Sequence, residues 1–379
     1  MPSAPPDTYA QIDLGALAGN LRAIRHHVGG RLVLLPVKAN AYGHGLVAVS
    51  QAVGRLGLAD WLGVAHVAEG VAVRRAGVTL PILKLSGAAP DQLDEAVAHD
   101  LRLTIVDQAG CAAAEEAAAR HGVVVPVHLK VDTGMRRIGV EPAAAPALAV
   151  AIEASPHLAL EGIFTHLAVA DIPAQRDFTT SQLDRFDAVL RSVEERLGRR
   201  PRLVHAANSG AVLDHPRAWG DLVRPGILSY GYYPDPATPR TIPVTPVLSW
   251  TSRLSFVKTV AAGETVSYGR TWTAPGTTTI ATLPVGYADG YFRALSNRVD
   301  VLVGGRRQPQ VGRICMDQCL VDLGPGATAE AGQAVTLIGH EGAERIGADD
   351  LAALLGTIPN EVLCAIAERV PRLVVEPAA

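Results

Sequence analysis

From residue 30 to residue 230 short apolar runs alternate with longer alanine-rich stretches whose apolar positions recur at helical spacing. The runs predict eight strands: Leu32–Val37, Leu62–His66, Ile82–Leu85, Leu103–Val106, Val124–Val131, Leu160–Thr165, Leu203–Ala206 and Leu222–Arg224. Between them the pattern predicts helices at Leu46–Leu56, Ala68–Ala76, Gln92–Asp100, Ala109–His121, Ala145–Ala154 and Ser181–Leu197, with a short turn near Ala211–Leu213. A further helix, Leu14–Val28, precedes the first strand. Strands and helices in this alternation predict an α/β fold, a (β/α)8 TIM-like barrel. Chemistry in such barrels gathers at the carboxyl ends of the strands. The polar residues there are Lys38, His66, Lys84, Lys130 with Asp132, His166, Asn208 with Ser209, and Arg224 with Gly226.

After Tyr233 the pattern changes. Pro234, Pro236, Pro239, Pro243 and Pro246 lead into alternating runs at Ser252–Val260, Thr277–Leu283, Val299–Val303, Val311–Ile314 and Ala334–Ile338. Such runs predict a second, mostly β C-terminal domain. The expected division is a barrel over residues 10–235 and a β domain over 236–379, joined by residues 1–9. No repeat of solenoid period interrupts either part.

Composition narrows the class. The 379 residues are 48% hydrophobic and 19% charged, with a net charge of -3, which is globular and gives no reason to expect nucleic acid or an anionic membrane as partner. The first residues carry neither a basic stretch nor an apolar core of a leader, and no apolar run is long enough to span a bilayer, so the expected location is cytoplasmic. The four cysteines, Cys111, Cys315, Cys319 and Cys364, show no C-x-x-C frame; buried thiols are expected, with no disulfide scaffold and no metal site.

One strand end stands apart. Only four lysines, Lys38, Lys84, Lys130 and Lys258, occur beside thirty arginines, and Lys38 closes an apolar strand with Tyr42, Gly43 and Gly45 just behind it. A buried strand-end amine can lose its proton and form a Schiff base with a carbonyl compound; the plain alternative is a lysine capping a strand and reaching solvent.

In order and spacing, Ala10–Leu14, Val37–Gly45, Val131–Gly139, Thr165–Leu167, Ala207–Ser209, Val223–Ile227, Val266–Gly269, Gly286–Gly290 and Gly312–Asp317 resemble the alanine racemase family of fold-type-III pyridoxal-phosphate enzymes. The resemblance covers nearly the whole chain and implies interconversion of L- and D-alanine by a two-base mechanism, supplying D-alanine for peptidoglycan. Residue by residue, it implies that Lys38 binds pyridoxal phosphate covalently and that Tyr42, Asn208, Ser209 and the amides of Gly226 and Ile227 belong to the cofactor site, with the phosphate on Tyr42, Ser209 and the two amides. Ser209 reads equally well as a helix N-cap. Arg224 would face the pyridine nitrogen, and a guanidinium, which holds its proton, would leave that nitrogen unprotonated. His166 would stack beside the ring or bond to Arg224.

Racemisation needs an acid/base group on each face of the reacting carbon. The resemblance assigns these roles to Lys38 and Tyr268, the latter reaching the barrel of a second subunit, so that a homodimer shares its active sites. A tyrosine near its ordinary pKa of about 10 is a poor base and needs cations nearby. Arg137 and the Met316 amide would meet the substrate carboxylate, with Asp317 shaping that loop. Lys130 is either carbamylated, orienting the arginine, or an ordinary strand-end cation. Tyr287, Arg293, Arg313 and Asp171 would line an access corridor. One departure is plain: Glu368 stands where some members carry a tyrosine that contacts the phosphate and narrows the pocket. The rivals are a serine or broad-specificity racemase on the same scaffold, a same-fold decarboxylase, for which Tyr268 would have no purpose, and a non-catalytic carrier of the cofactor, which would end after the barrel.

Overall fold

The computed structural model describes residues 6–376, and the first residues of the expected N-terminal extension, 1–5, lie outside it. The described residues form two compact units, one of residues 18–41 and 45–245 and the other of residues up to 17, 42–44 and 246 onward.

In the first unit eight parallel strands lie in the order 203–205, 158–164, 125–130, 101–105, 82–84, 61–64, 32–36, 222–223. The remaining gap is bridged by Asp221 N donating to Val204 O at 2.8 Å and Arg224 N to Ala207 O at 3.0 Å, which completes a barrel. Strands buried on both faces need continuous apolar runs, and Leu32–Pro36 and Trp61–Val64 are such runs. Leu34, Trp61, Leu83, Leu203 and Leu222 pack together in one core cluster. All eight expected strands are found, each within two or three residues of its expected ends. The expected helix Ser181–Leu197 begins earlier, at Arg176. Helix Gln108–His121 starts where the Asp107 carboxylate accepts the Gly110 N–H at 2.7 Å and stops at Gly122, whose φ of 64° a β-carbon would disfavour.

The second unit is built, among the described residues, on a ten-stranded sheet, with a separate two-stranded pair of 265–266 and 272–273. The path of the larger sheet runs 256–260, 278–283, 319–324, 306–311, 300–303, 334–341, 248–253, 9–13, 372–375, with 344–346 paired to 334–341. The strand Tyr9–Asp13 pairs antiparallel with 248–253 and parallel with 372–375, so residues 10–17 sit with the β unit instead of the barrel. Two expected strands are corrected. Ser252–Val260 is two strands, Leu248–Arg253 and Phe256–Val260, at different places in the sheet. The strand expected at Val311–Ile314 is Arg306–Val311: Gly312 turns the chain at φ 71°, where a β-carbon would lie 2.7 Å from Ser267 Cβ. Helices Ala348–Leu355 and Pro359–Cys364 were not expected. Among the cysteines Cys364 is exposed, against the expectation of buried thiols. No helix among the described residues is long and apolar enough to cross a membrane.

Candidate active site

The first barrel strand ends at Pro36, and the chain then turns left-handed. Ala39, Asn40, Ala41 and Tyr42 all have φ of 53–54°, a conformation that costs an L-residue roughly 1–2 kcal/mol each. Side chains hold it there. The Glu69 carboxylate accepts the Ala39 N–H at 2.7 Å and the Ala65 and His66 N–H groups at 2.8 and 3.0 Å, tying the segment after Lys38 to the end of the neighbouring strand. Asn40 Oδ1 accepts the Leu46 N–H at 2.7 Å. Glu69 and Asn40 were not read from the sequence as site residues, although a glutamate in the first turn after a strand end is a capping signal.

Arg224, at the end of the last strand, is buried. Its guanidinium donates to His205 Nδ1 at 2.6 Å, Thr165 O at 2.7 Å and Ala206 O at 3.1 Å, and lies 3.4 Å from His166 Nδ1. Burial lowers its pKa to about 9, which leaves it charged at neutral pH. Burial first, then Arg224, Lys130, Arg137 and Lys38, hold His166 well below its ordinary pKa, so the ring is neutral and can accept from Arg224. Lys130 is pulled to about 7 by burial and, after it, by Arg224, Arg137 and Lys38. Four basic side chains thus converge at one rim of the barrel, an arrangement that calls for anionic groups. Lys84, another expected rim residue, turns to the loop instead: Nζ donates to Ser86 O at 2.9 Å and Gly87 O at 2.6 Å.

Helices Ser209–Asp214 and Gly226–Ser229 start side by side. The N-cap of the first is Asn208, whose Oδ1 accepts the Ala211 N–H at 3.1 Å. Ser209 is therefore not the cap. Its hydroxyl bonds Pro225 O and lies 3.4 Å from the Leu228 N–H, beside the first-turn amides of Gly226 and Ile227, which have no acceptor inside their own helix. A hydroxyl and open amides fit a phosphate. Asp132 Oδ1 accepts the Gly134 and Arg136 N–H groups at 2.9 and 3.0 Å, folding back the loop that carries Arg137. A small pocket lies there, lined by Lys130, Asp132, Met135, Arg137, Ile138 and His166. Asp171 is half-buried, its carboxyl raised by burial.

The remaining expected residues belong to the β unit. Tyr42 is buried, and Gly43 behind it lies so close to Leu363 that a β-carbon would stand 2.1 Å from the carbonyl oxygen. Tyr268 follows Ser267 (φ 61°) and precedes Gly269 (φ 73°). Ser267 Oγ donates to Arg313 O at 2.6 Å, and Arg313 Nε lies close over Gly269. Tyr268 is 73% exposed and Met316 54%. Arg369 bridges Asp289 at 2.7 Å and Asp317 at 2.8 Å, and Tyr287 N and Ala288 N donate to Cys315 O and Met316 O, so these loops brace one another. Arg293 and Glu368 are exposed.

Known proteins resemble this chain along nearly its whole length. Residues 12–234 match the family described as alanine racemase, N-terminal domain, and residues 247–374 that described as alanine racemase, C-terminal domain. The chain is 49% identical to the alanine racemase of Cutibacterium acnes over 98% of its own length and 99% of the relative's. Among solved structures, the alanine racemase of Clostridium difficile 630 superposes with a TM-score of 0.93 at 33% identity, covering 99% of this chain and 97% of that one. The alanine racemase of Bacillus anthracis, solved with bound L-Ala-P, gives 0.91 at 34% identity, covering 98% and 96%.

Proposed function

The chain belongs to the alanine racemase family, and on that premise we propose how its own residues divide the work of a pyridoxal-phosphate-dependent isomerase that interconverts L- and D-alanine. The supporting observation is the convergence of Lys38, Lys130, Arg137 and Arg224 around His166, together with the hydroxyl and open amides of Ser209, Gly226 and Ile227 at the start of two helices. When bound, pyridoxal phosphate supplies a carbonyl carbon for the Lys38 amine and an electron sink that makes the α-proton of alanine labile.

Lys38 holds the cofactor and moves the proton on one face. Arg224, fixed by His205, Thr165 and Ala206, would face the pyridine nitrogen; a donor that keeps its own proton would leave that nitrogen unprotonated and so favour return of the α-proton over side reactions. Ser209 and the Gly226 and Ile227 amides would hold the phosphate, with Tyr42 assigned to the same group by the family resemblance; Asn208 caps the helix and His166 supports Arg224. Arg137 and the Met316 amide take the substrate carboxylate, Asp317 holding that loop through Arg369. A Lys130 amine drawn to about 7 is neutral often enough near physiological pH to take up carbon dioxide, and the resulting carbamate would orient Arg137. Tyr268 serves the second face. Its exposure, with that of Met316, supports delivery from a partner subunit, so that two copies share two sites, with Tyr287, Arg293, Arg313 and Asp171 along the approach. The enzyme works in the cytoplasm and supplies D-alanine for peptidoglycan.

The test is racemisation of L- and D-alanine by the purified protein with its visible cofactor spectrum. Lys38→Ala should remove both the lysine-bound spectrum and, by on the order of 10^4-fold or more, the activity. A borohydride-reducible lysine adduct retained in that variant would move the attachment to Lys84 or Lys130.

A further inference from the structure

Below Arg224 a line of polar groups continues through the barrel interior, where apolar side chains ordinarily fill the space. His205 accepts from Arg224 at Nδ1, and its Nε2 lies 2.9 Å from His128 Nδ1. His128 Nε2 lies 3.5 Å from Glu161 Oε2, longer than a regular hydrogen bond, yet neither atom has a closer polar partner. Glu161 is flanked in turn by Arg202 at 3.2 Å and Arg102 at 3.8 Å. Both histidines are fully buried, and their ring centroids are 5.1 Å apart. Phe164 stacks on His205 at 4.6 Å and Trp61 meets His128 edge-on at 5.5 Å, so neither ring is free to turn.

Two backbone features serve this line. The register of strands 125–130 and 158–164 shifts between Val127 and His128, so that Leu160 faces Val127 while Gly162 faces His128. Glu161 is the extra residue, and a bulge of this kind re-aims its side chain. Gly162 then leaves the room His128 fills: a β-carbon there would lie 2.5 Å from Nδ1.

The chemistry of the ends fixes the direction. A guanidinium can only donate and a carboxylate can only accept. His205 must therefore carry its proton on Nε2, and His128 must do the same. We propose that Glu161 and His128 are positioning residues for Arg224: the carboxylate polarises the two imidazoles in series, so that His205 presents a fixed, electron-rich Nδ1 to the guanidinium. Burial, with Arg224 as the next cause, keeps His205 neutral, as the arrangement requires. The link to catalysis rests on the reading that Arg224 faces the cofactor.

The experiment uses holoenzyme labelled with 15N-histidine, in which long-range 15N–1H spectra report the tautomer of each ring, with His128→Asn and His205→Asn assigning the signals. The wild type should show Nε2–H at both rings. Glu161→Gln keeps the shape but can donate as well as accept, so an Nδ1–H form should appear at His128 and His205, and Glu161→Asp, which keeps the anion, should restore the wild-type pattern. Unchanged imidazole signals in Glu161→Gln would overturn the proposal. With the signals displaced, kcat should fall roughly three- to tenfold, the usual size of coupling through a packed polar chain, while KM for alanine stays nearly constant. Displaced signals with unchanged kcat would instead overturn the placement of Arg224 at the reacting centre. Should Glu161→Gln fail to fold, Arg202→Gln withdraws an exposed cation from Glu161 and should displace the His128 signals in the opposite sense; no displacement there counts against the proposal equally.

Discussion

Arg224 in the barrel unit is 4% exposed and meets four acceptors, whereas Tyr268 in the β unit is 73% exposed and its hydroxyl has no hydrogen-bond partner among the described residues. Both are assigned to the reacting centre, yet only the first is held by hydrogen bonds within the barrel. A buried cation without acceptors would be costly, so the barrel must satisfy Arg224 whether or not a ligand is bound. An exposed phenol is satisfied by water and needs nothing from its own chain. What would make it a base is a dry and cationic surrounding, which under the proposed shared site would come from the barrel rim of a second copy.

Tyr268→Phe tests this contrast most strongly. The variant should keep its fold, since an exposed hydroxyl contributes little to stability, and lose racemisation in both directions by roughly 10^2- to 10^4-fold. It should still exchange with deuterated solvent the α-proton of the isomer that Lys38 addresses. Mixing inactive Lys38→Ala and Tyr268→Phe subunits should restore activity, because a mixed dimer places both native residues in one of its two sites. If mixed dimers form and no activity returns, Tyr268 acts within its own chain.

The same contrast explains what could be read from residues alone. The barrel strands were legible because burial on both faces demands unbroken apolar runs, as in Leu32–Pro36. The β unit was less so: Phe256–Val260 is mostly exposed, and its break from Leu248–Arg253 leaves no mark in an alternating pattern. Lys38, Arg137, Arg224 and Tyr268 were singled out by motif. Glu69, His128 and Glu161 were missed because their roles lie in partners far along the chain. A histidine and a glutamate inside apolar strands were the available signal for the last two. The turn Ala39–Tyr42 could not have been anticipated, since nothing in Ala-Asn-Ala-Tyr favours positive φ four times over; tertiary bonds from Glu69 and Asn40 impose it.

Lys130 sharpens the barrel side of the comparison. Its folded pKa of about 7 lies below the unfolded value of about 10.4, so between these values the unfolded chain binds more protons and stability rises with pH. The cost of the buried charge is complete below pH 7 and gone above about pH 10. Lys130→Met should flatten that slope in denaturation series at several pH values; an unchanged slope would mean that another group sets it. If a carbamate orients Arg137, the variant should also lose roughly ten- to a hundredfold in kcat/KM, and 13C-bicarbonate should label the native lysine alone.

Gly162→Ala probes the packing under Arg224. A β-carbon 2.5 Å from the His128 ring must displace it, at a cost of about 1–3 kcal/mol for overpacking. Urea denaturation should show the loss, and an unaltered midpoint would mean that the ring has room to move.

The smallest effect concerns strain, and here the two units agree. Lys38 is followed by Ala39 at φ 53°, Arg137 is preceded by Arg136 at 55°, and Tyr268 is preceded by Ser267 at 61°. Residues held in the left-handed region persist only where their surroundings over-determine them, and they gather at functional sites. Ala39→Gly removes the steric penalty, about 1–2 kcal/mol, and adds back roughly 0.5–1 kcal/mol of chain entropy in the unfolded state, so it should stabilise the protein by about 0.5–1 kcal/mol. The backbone bond from Ala39 to Glu69 survives the change, which isolates the strain from the contact. If the left-handed turn serves to aim Lys38, thermal unfolding should move up while kcat falls, because a glycine lets the turn relax away from the conformation that sets the amine. A rise in unfolding temperature with unchanged kcat would mean instead that the barrel tolerates the turn and that Glu69 alone keeps Lys38 in place.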